Sequence, residues 1–381
     1  MNTPVQDKAR YIMVGGFLGA GKTTAIAELA RRLSDNGLRV GLISNDQSTG
    51  LVDTGVLRAR GFSVEEIAGG CFCCRFDSLL DASEKLSREV APDVFLAEPV
   101  GSCTDLVATV SYPLRRIYGD RFAIAPLSVL VDPSRAARIL GLESGRPFSE
   151  KVVYIYTKQL EEADIIVLNK CDSIDATLRE RLLETLRERY PHAEVFACSS
   201  RDALGLDSWF DRLLESECGG DRPTMEVDYE RYGEGEALLG WLNATIRVNA
   251  PDGFVPDELL LQLANAIGGR VTGADAEIAH LKMTLDAGDI AGKLSAVSLV
   301  RSDGVPELRD SLPDEVSAGT LILNLRAEAH PEVLQQIVES VIEEIASGST
   351  LELSVEHLES FKPGQPRPVH RDTVAAAACG S

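Results

Sequence analysis

Gly16-Phe17-Leu18-Gly19-Ala20-Gly21-Lys22-Thr23 follows an apolar run over residues 11–14 and opens an amphipathic stretch over residues 23–36. This is G-x-x-x-x-G-K-[ST] between a strand and a helix, the setting in which the pattern carries physical meaning. Glycines let successive N–H groups turn inward toward phosphate oxygens, and the helix N-terminus adds its dipole. Gly16, Gly19, Ala20 and Gly21 supply such a cradle, followed by Lys22, Thr23 and Thr24. Lys22 offers a cation to the β/γ oxygens, and Thr23 offers a hydroxyl ligand to Mg²⁺.

Working outward, apolar runs at residues 40–44, 94–98, 127–131, 165–169 and 194–197 alternate with helical patterns such as 176–190, stopped by Pro191. Continuous apolar runs separated by helices predict an α/β domain with a doubly wound, mostly parallel sheet covered on both faces. The expected division is a nucleotide domain over residues 1–217, a Gly-rich linker over 218–228, a smaller α+β domain over 229–361 and an extended, partly disordered tail over 362–381. In the second domain, strands are expected at 238–248, 279–285, 292–300, 320–326 and 351–358. Helices are expected at 256–267 and 331–346, suggesting two βαβ halves around an antiparallel sheet.

The balance of 38 basic against 59 acidic residues gives a net charge of −21. Such a surface repels phosphate backbones and anionic lipid, which argues against nucleic-acid and membrane partners. The first ten residues are polar, and the apolar stretch over 11–18 is too short and Gly-rich for export or anchoring, so a cytoplasmic protein is expected.

A second determinant is Asn169-Lys170-Cys171-Asp172, directly after the run at 165–168. Asn-Lys-x-Asp at a strand end reads guanine. The Asp172 carboxylate accepts from N1–H and the 2-amino group, and the Asn169 amide is expected at the O6/N7 edge. Adenine lacks the paired donors, so discrimination should be large. Ser199, in Cys198-Ser199-Ser200, is placed to close over the base with backbone donors. Asn45-Asp46 and Glu98-Pro99-Val100-Gly101 end two further strands, where acidic residues hold Mg²⁺ or its waters. Glu98 is the first candidate to hold Mg²⁺ and orient the attacking water, Asp46 the second. Each also has the plainer reading of a turn carboxylate. Gly101 is expected to donate its N–H to the γ-phosphate.

Gly69-Gly70-Cys71-Phe72-Cys73-Cys74-Arg75 concentrates three thiols in four positions. Thiolates at such spacing select soft or borderline ions such as Zn²⁺ and Cu(I), and three sulfurs leave a fourth position open for transfer. Arg75 is expected to lower the thiol pKa values. A redox switch, a set of inert buried thiols, and a structural site completed by Cys103 are the alternatives.

With these residues in place, the sequence resembles the CobW group of P-loop GTPases, relatives of the UreG and HypB nickel-enzyme maturation proteins. The resemblance rests on residues 16–24, Asn45 with Gly50 and Asp53, and Gly70-Cys71-x-Cys73-Cys74. It also rests on the turn at 98–101 and on Gln159-Leu160-x-x-Ala163-Asp164 leading into Asn169. It implies GTP hydrolysis to GDP with Mg²⁺, a Zn²⁺- or Co²⁺-type ion on Cys71, Cys73 and Cys74, and a metallochaperone or enzyme-activator role. The His-rich tract of many members is absent: His192, His280, His330, His357 and His370 are isolated.

The function expected is therefore a GTP-hydrolysing metallochaperone that delivers a metal ion or metallocofactor to a client metalloprotein. The alternative is a GTPase switch that activates or protects a corrinoid or metal enzyme, with structural cysteines. A small-molecule kinase is a third reading, opposed by the guanine tetrapeptide. A nucleotide-dependent homodimer is an open alternative among partners.

Overall fold

The computed structural model describes residues 8–45, 52, 57–58, 61–215, 223–288 and 294–373. Its first sheet contains β1 (Ala9–Gly16), β2 (Val40–Asn45), β3 (Val64–Ile67), β4 (Val94–Glu98), β5 (Phe122–Ile124), β6 (Ser128–Val131), β7 (Ile165–Leu168) and β8 (Glu194–Ala197). The order is β3-β2-β4-β1-β6-β7-β8, with β5 beside β1, and every pairing is parallel. Both faces are covered, which explains the unbroken apolar runs. Tyr11 and Met13 pack on one side with the helices Phe76–Glu89 and Glu150–Glu162, while Ile12 and Val14 pack on the other with Lys22–Asp35 and Asp207–Glu215.

The second sheet is built from β9 (Leu239–Phe254), β10 (Glu277–Asp286), β11 (Leu294–Leu299), β12 (Glu307–Asp310), β13 (Val316–Glu328) and β14 (Glu352–Phe361). Its order is β12-β11-β10-β13-β9-β14, all antiparallel. The helices Pro256–Gly273 and Pro331–Ser347 make the two crossovers, β9 to β10 and β13 to β14, so the βαβ halves interleave across one sheet. Leu281, Met283 and Leu285 of β10 and Leu321, Leu323 and Leu325 of β13 form one core with these helices. The alternate residues face the opposite way, as a period of two requires. On that side Asn243, His280, Asn324 and Arg326 are buried, and Trp241 and Ala279 join the core of the first sheet.

Three strands and one helix escape the sequence pattern. Val64-Glu65-Glu66-Ile67 and Glu307-Leu308-Arg309-Asp310 are polar because they lie at sheet edges, and β5 has three residues. The helix Tyr229–Leu238 contains Gly233 and Gly235, which dilute its helical signal. Among the described residues, no helix is long and apolar enough to cross a membrane.

Candidate functional site

The loops after β1, β4 and β7 and the end of β2 meet the polar side of the second sheet around a cleft of about 630 Å³. Gly19, Gly21, Lys22, Thr23, Thr24, Glu98, Gly101, Asn169, Lys170 and Asp172 all line it. Gly21 caps the helix Lys22–Asp35 with a positive φ of 92°. Lys22 is buried and donates from Nζ to the Gly16 carbonyl at 2.9 Å. Thr23 Oγ1 donates to Glu98 Oε1 at 3.0 Å, so the loop hydroxyl and the β4 carboxylate share one point of the cleft. Two oxygen donors so placed fit a hard cation such as Mg²⁺. Asp46 lies outside the described residues, as do Gly50 and Asp53.

The guanine tetrapeptide is tied into the loops around it. Asn169 Nδ2 donates to the Ala20 carbonyl at 2.9 Å, and its Oδ1 accepts from Ser200 N at 3.0 Å and Ser200 Oγ at 2.9 Å. Asn169 therefore braces the phosphate loop against the loop after β8, and its Nδ2 retains a second N–H. Ser199 is displaced from its expected role. It exchanges backbone hydrogen bonds with Leu204, and its Oγ donates to Asp202, while Ser200 lines the cleft. Lys170, at φ 55°, donates to the Gly19 carbonyl at 2.7 Å and to Asp132 Oδ2 at 2.9 Å.

Asp132 and Arg135 were not singled out from the sequence. Asp132 ends β6 and caps the helix Pro133–Ile139 by accepting from Arg135 N; an Asp before Pro at a strand end was the available signal. Burial opposes its ionisation, but the charges of Lys170 and Arg135 outweigh that, so its carboxyl is held below the ordinary value. The buried Arg135 guanidinium donates to the carbonyls of Leu18 (2.8 Å), Ala279 (2.9 Å) and Val300. One side chain thus bolts the phosphate loop to β10 and to the end of β11.

The three cysteine sulfurs converge. Cys71 Sγ lies 2.7 Å from Cys73 Sγ and 3.3 Å from Cys74 Sγ, and Cys73 and Cys74 are 3.7 Å apart. A tight turn, in which Cys74 N and Arg75 N both donate to the Cys71 carbonyl, brings them together. Gly70 enters it at φ 148°, a conformation that disfavours any side chain. Contrary to expectation, Arg75 turns back and donates from Nε to the Gly69 carbonyl. The Cys71 thiol is instead drawn well down by its sulfur neighbours, Cys103 first, then Cys73 and Cys74. Cys74 is pushed up to about 11 by the same sharing. A single thiolate inside a group of thiols is the economical charge state of a buried cluster, and a soft cation is the partner it suits.

Two short paths join this cluster to the cleft. Asn45, at the end of β2, lines the cleft and donates from Nδ2 to the Gly70 carbonyl at 2.7 Å, next to Cys71, and to Ile67 O at 2.9 Å. The second path is the chain from Glu98 through Gly101 to Cys103. Gln159 Nε2 holds it at the carbonyls of Gly101 (3.0 Å) and Cys103 (2.8 Å). Ser102 Oγ donates to the buried Glu236 at 2.6 Å, and Glu162 accepts from Thr104 Oγ1 and Val107 N. Burial pushes the Glu162 carboxyl up to about 8.

Part of the stretch expected as an extended, partly disordered tail, residues 367–373, is strapped over the sulfurs. Arg367 N donates to Cys74 Sγ at 3.1 Å, and Val369 N donates to the Cys73 carbonyl at 2.9 Å. The His370 ring packs edge-on to Phe76, and Arg371 pairs with buried Asp105 at 2.7 Å. The tail carries no helix or strand here, but these contacts fix it.

Comparison with known proteins agrees with this geometry. The family described as CobW/HypB/UreG, nucleotide-binding domain, matches residues 10–197. The chain is similar to a zinc chaperone CobW of Sinorhizobium sp, at 31% identity over 191 residues, 45% of this chain and 53% of the relative. It is similar to a zinc chaperone CobW of Pseudomonas aeruginosa at 28% over 251 residues, 58% and 65% of the two chains. It is also similar to the zinc chaperone YeiR of Escherichia coli at 30% over 166 residues, 43% and 47%. The chain thus spans about half to two thirds of the length of these relatives. Residues 10–197 thus carry a likeness to the CobW/HypB/UreG nucleotide-binding domain.

Proposed function

We propose that this protein hydrolyses GTP and couples the turnover to carrying a zinc-type ion on Cys71, Cys73 and Cys74 toward a client metalloprotein. Lys22 and the backbone of residues 16–24 would cradle the phosphates, and Asp172 would select guanine. Thr23 and Glu98 would hold Mg²⁺, which neutralises charge between the β and γ oxygens when bound. Glu98, at the end of β4, would also orient the attacking water.

The observation that supports this most is Asn45, one amide that borders the nucleotide cleft and holds the carbonyl beside Cys71. A nucleotide that shifts the end of β2 must shift the sulfur turn with it, and by linkage the metal must act back on the nucleotide. Zinc–sulfur bonds of about 2.3 Å in a tetrahedron require sulfurs roughly 3.8 Å apart. Loading would therefore open the turn slightly, which makes it sensitive to how Asn45 grips it. The names of the relatives, two CobW proteins and YeiR, all zinc chaperones, favour zinc over cobalt.

The strap over Cys74 favours a second reading, in which the cluster is structural and the protein is a GTP-dependent switch. Elemental analysis and GTPase kinetics on protein purified without chelator separate the two, with the wild type beside a Cys71/Cys73/Cys74→Ser variant. The chaperone reading expects about one zinc lost, a folded variant and altered turnover. A variant that unfolds while the wild type refuses to surrender zinc to a mild chelator supports the structural reading.

A further inference from the structure

We propose that the second sheet is itself part of the nucleotide site, with His280 and Lys282 of β10 taking the terminal phosphate of a bound nucleoside triphosphate opposite Lys22. The inference rests on reading the cleft as the nucleotide site, and it adds a binding element that lies outside residues 10–197.

The alternation of β10 sets the direction. Leu281 and Met283 belong to the core under the helices, so His280 and Lys282 point to the other face, and both line the cleft that holds Lys22, Thr23 and Glu98. The sheet also lies directly on the phosphate loop. A Cβ added to Gly19 would come within 2.8 Å of Val300 Cγ1 and 3.2 Å of the Ala279 carbonyl. Arg135 fastens Leu18 to Ala279 and Val300, so the residue after Ala279 is held at the phosphate end.

His280 is only 6% exposed, and its Nδ1 is buried with no hydrogen-bond partner. A buried polar atom of this kind destabilises the fold unless something else satisfies it. Its surroundings state what that partner is. Besides burial, the charges of Lys282, Arg326, Lys22 and Arg135 act together to keep the imidazole neutral. In a chain of net charge −21, four cations converge on one buried imidazole. A polyanion arriving among these side chains gains charge-assisted hydrogen bonds from them. Guanosine diphosphate ends one phosphate short, so the terminal group of the triphosphate is the part this ceiling distinguishes. The sheet would then close on the triphosphate and relax on the diphosphate, a domain-scale response to hydrolysis. No bond is made or broken by either side chain; both act as hydrogen-bond and charge partners.

The test is calorimetric binding of GDP and of non-hydrolysable GTP and ATP analogues to wild type, Lys282→Met and His280→Gln/Lys282→Met protein. The inference expects the double variant to lose about tenfold or more in affinity for the GTP analogue, with Lys282→Met losing part of that and GDP changing less than about twofold. Equal losses for GDP and the triphosphate analogue, or no loss at all in Lys282→Met, would overturn it. Thermal unfolding without nucleotide accompanies each variant. The wild-type preference for the GTP over the ATP analogue tests the guanine reading separately. If that preference is absent while the triphosphate analogues still lose affinity relative to their diphosphates, the guanine reading fails and the ceiling stands.

Discussion

The two sheets solve opposite problems. The parallel sheet is buried on both faces by helices, so its strands carry no chemistry along their length, and its functional groups sit where strands end: Thr23, Asn45, Glu98, Asp132 and Asp172. The antiparallel sheet has helices on one face only, and its second face presents His280, Asn324 and Arg326 within the strands themselves. A polar residue in mid-strand costs stability unless that face meets a ligand or another domain. Here it meets both. The comparison teaches that site residues can be read from strand termini in one architecture and from alternation in the other.

The largest effect should come from the strand-end machinery. Lys22→Ala removes the cation of the phosphate loop and should lower kcat for GTP by about 10²- to 10³-fold, as loss of a transition-state donor does, in steady-state phosphate release. Next, Asp172→Asn should cut the preference for GTP over ATP by about 10²-fold or more, read from kcat/KM with both nucleotides, because a carboxylate left unmatched against the base edge is what excludes the wrong base. If instead Asn169→Ala alone changed base preference without loosening the phosphate loop, its bracing role would be wrong.

These two residues were legible beforehand because their chemistry is contiguous: eight residues spell the phosphate loop, four the base reader, and four positions hold the sulfurs. What stayed hidden was made of distant pairs. Arg135 touches Ala279 and Val300, Ser102 touches Glu236, and Arg371 touches Asp105, and no local periodicity encodes such meetings. The contacts of Asn169 to the Ala20 carbonyl and to Ser200 were equally hidden, since a tetrapeptide shows neither. The contacts of residues 367–373 were hidden too, because Pro and polar residues carry no sign of backbone donors meeting Cys73 and Cys74.

A smaller effect sharpens the role of that strap. Arg371→Ala releases its ion pair with Asp105, and the local opening this permits should raise the rate at which Cys74 reacts with a thiol reagent by a few fold (about two- to tenfold), timed by mass spectrometry. An unchanged rate would mean the strap is held by its backbone contacts alone.

A further effect concerns pH. The Glu162 carboxyl, raised to about 8 in the fold, binds a proton that the unfolded chain releases near its ordinary value of 4.5. The folded state therefore binds more protons between those values, and stability falls as pH rises through that window. Glu162→Gln should flatten this slope in denaturant unfolding at several pH values. A steeper fall in the variant would contradict the assignment.

The central claim is that sulfur cluster and nucleotide cleft form one linked unit through Asn45. It is tested most directly by zinc affinity in competition with a chelator, on protein saturated with GDP and then with a non-hydrolysable GTP analogue, for wild type and Asn45→Ala. The account predicts a difference between nucleotide states of about 5- to 150-fold in wild type, largely lost in the variant while zinc still binds. The same zinc affinity in both states of the wild type would contradict it.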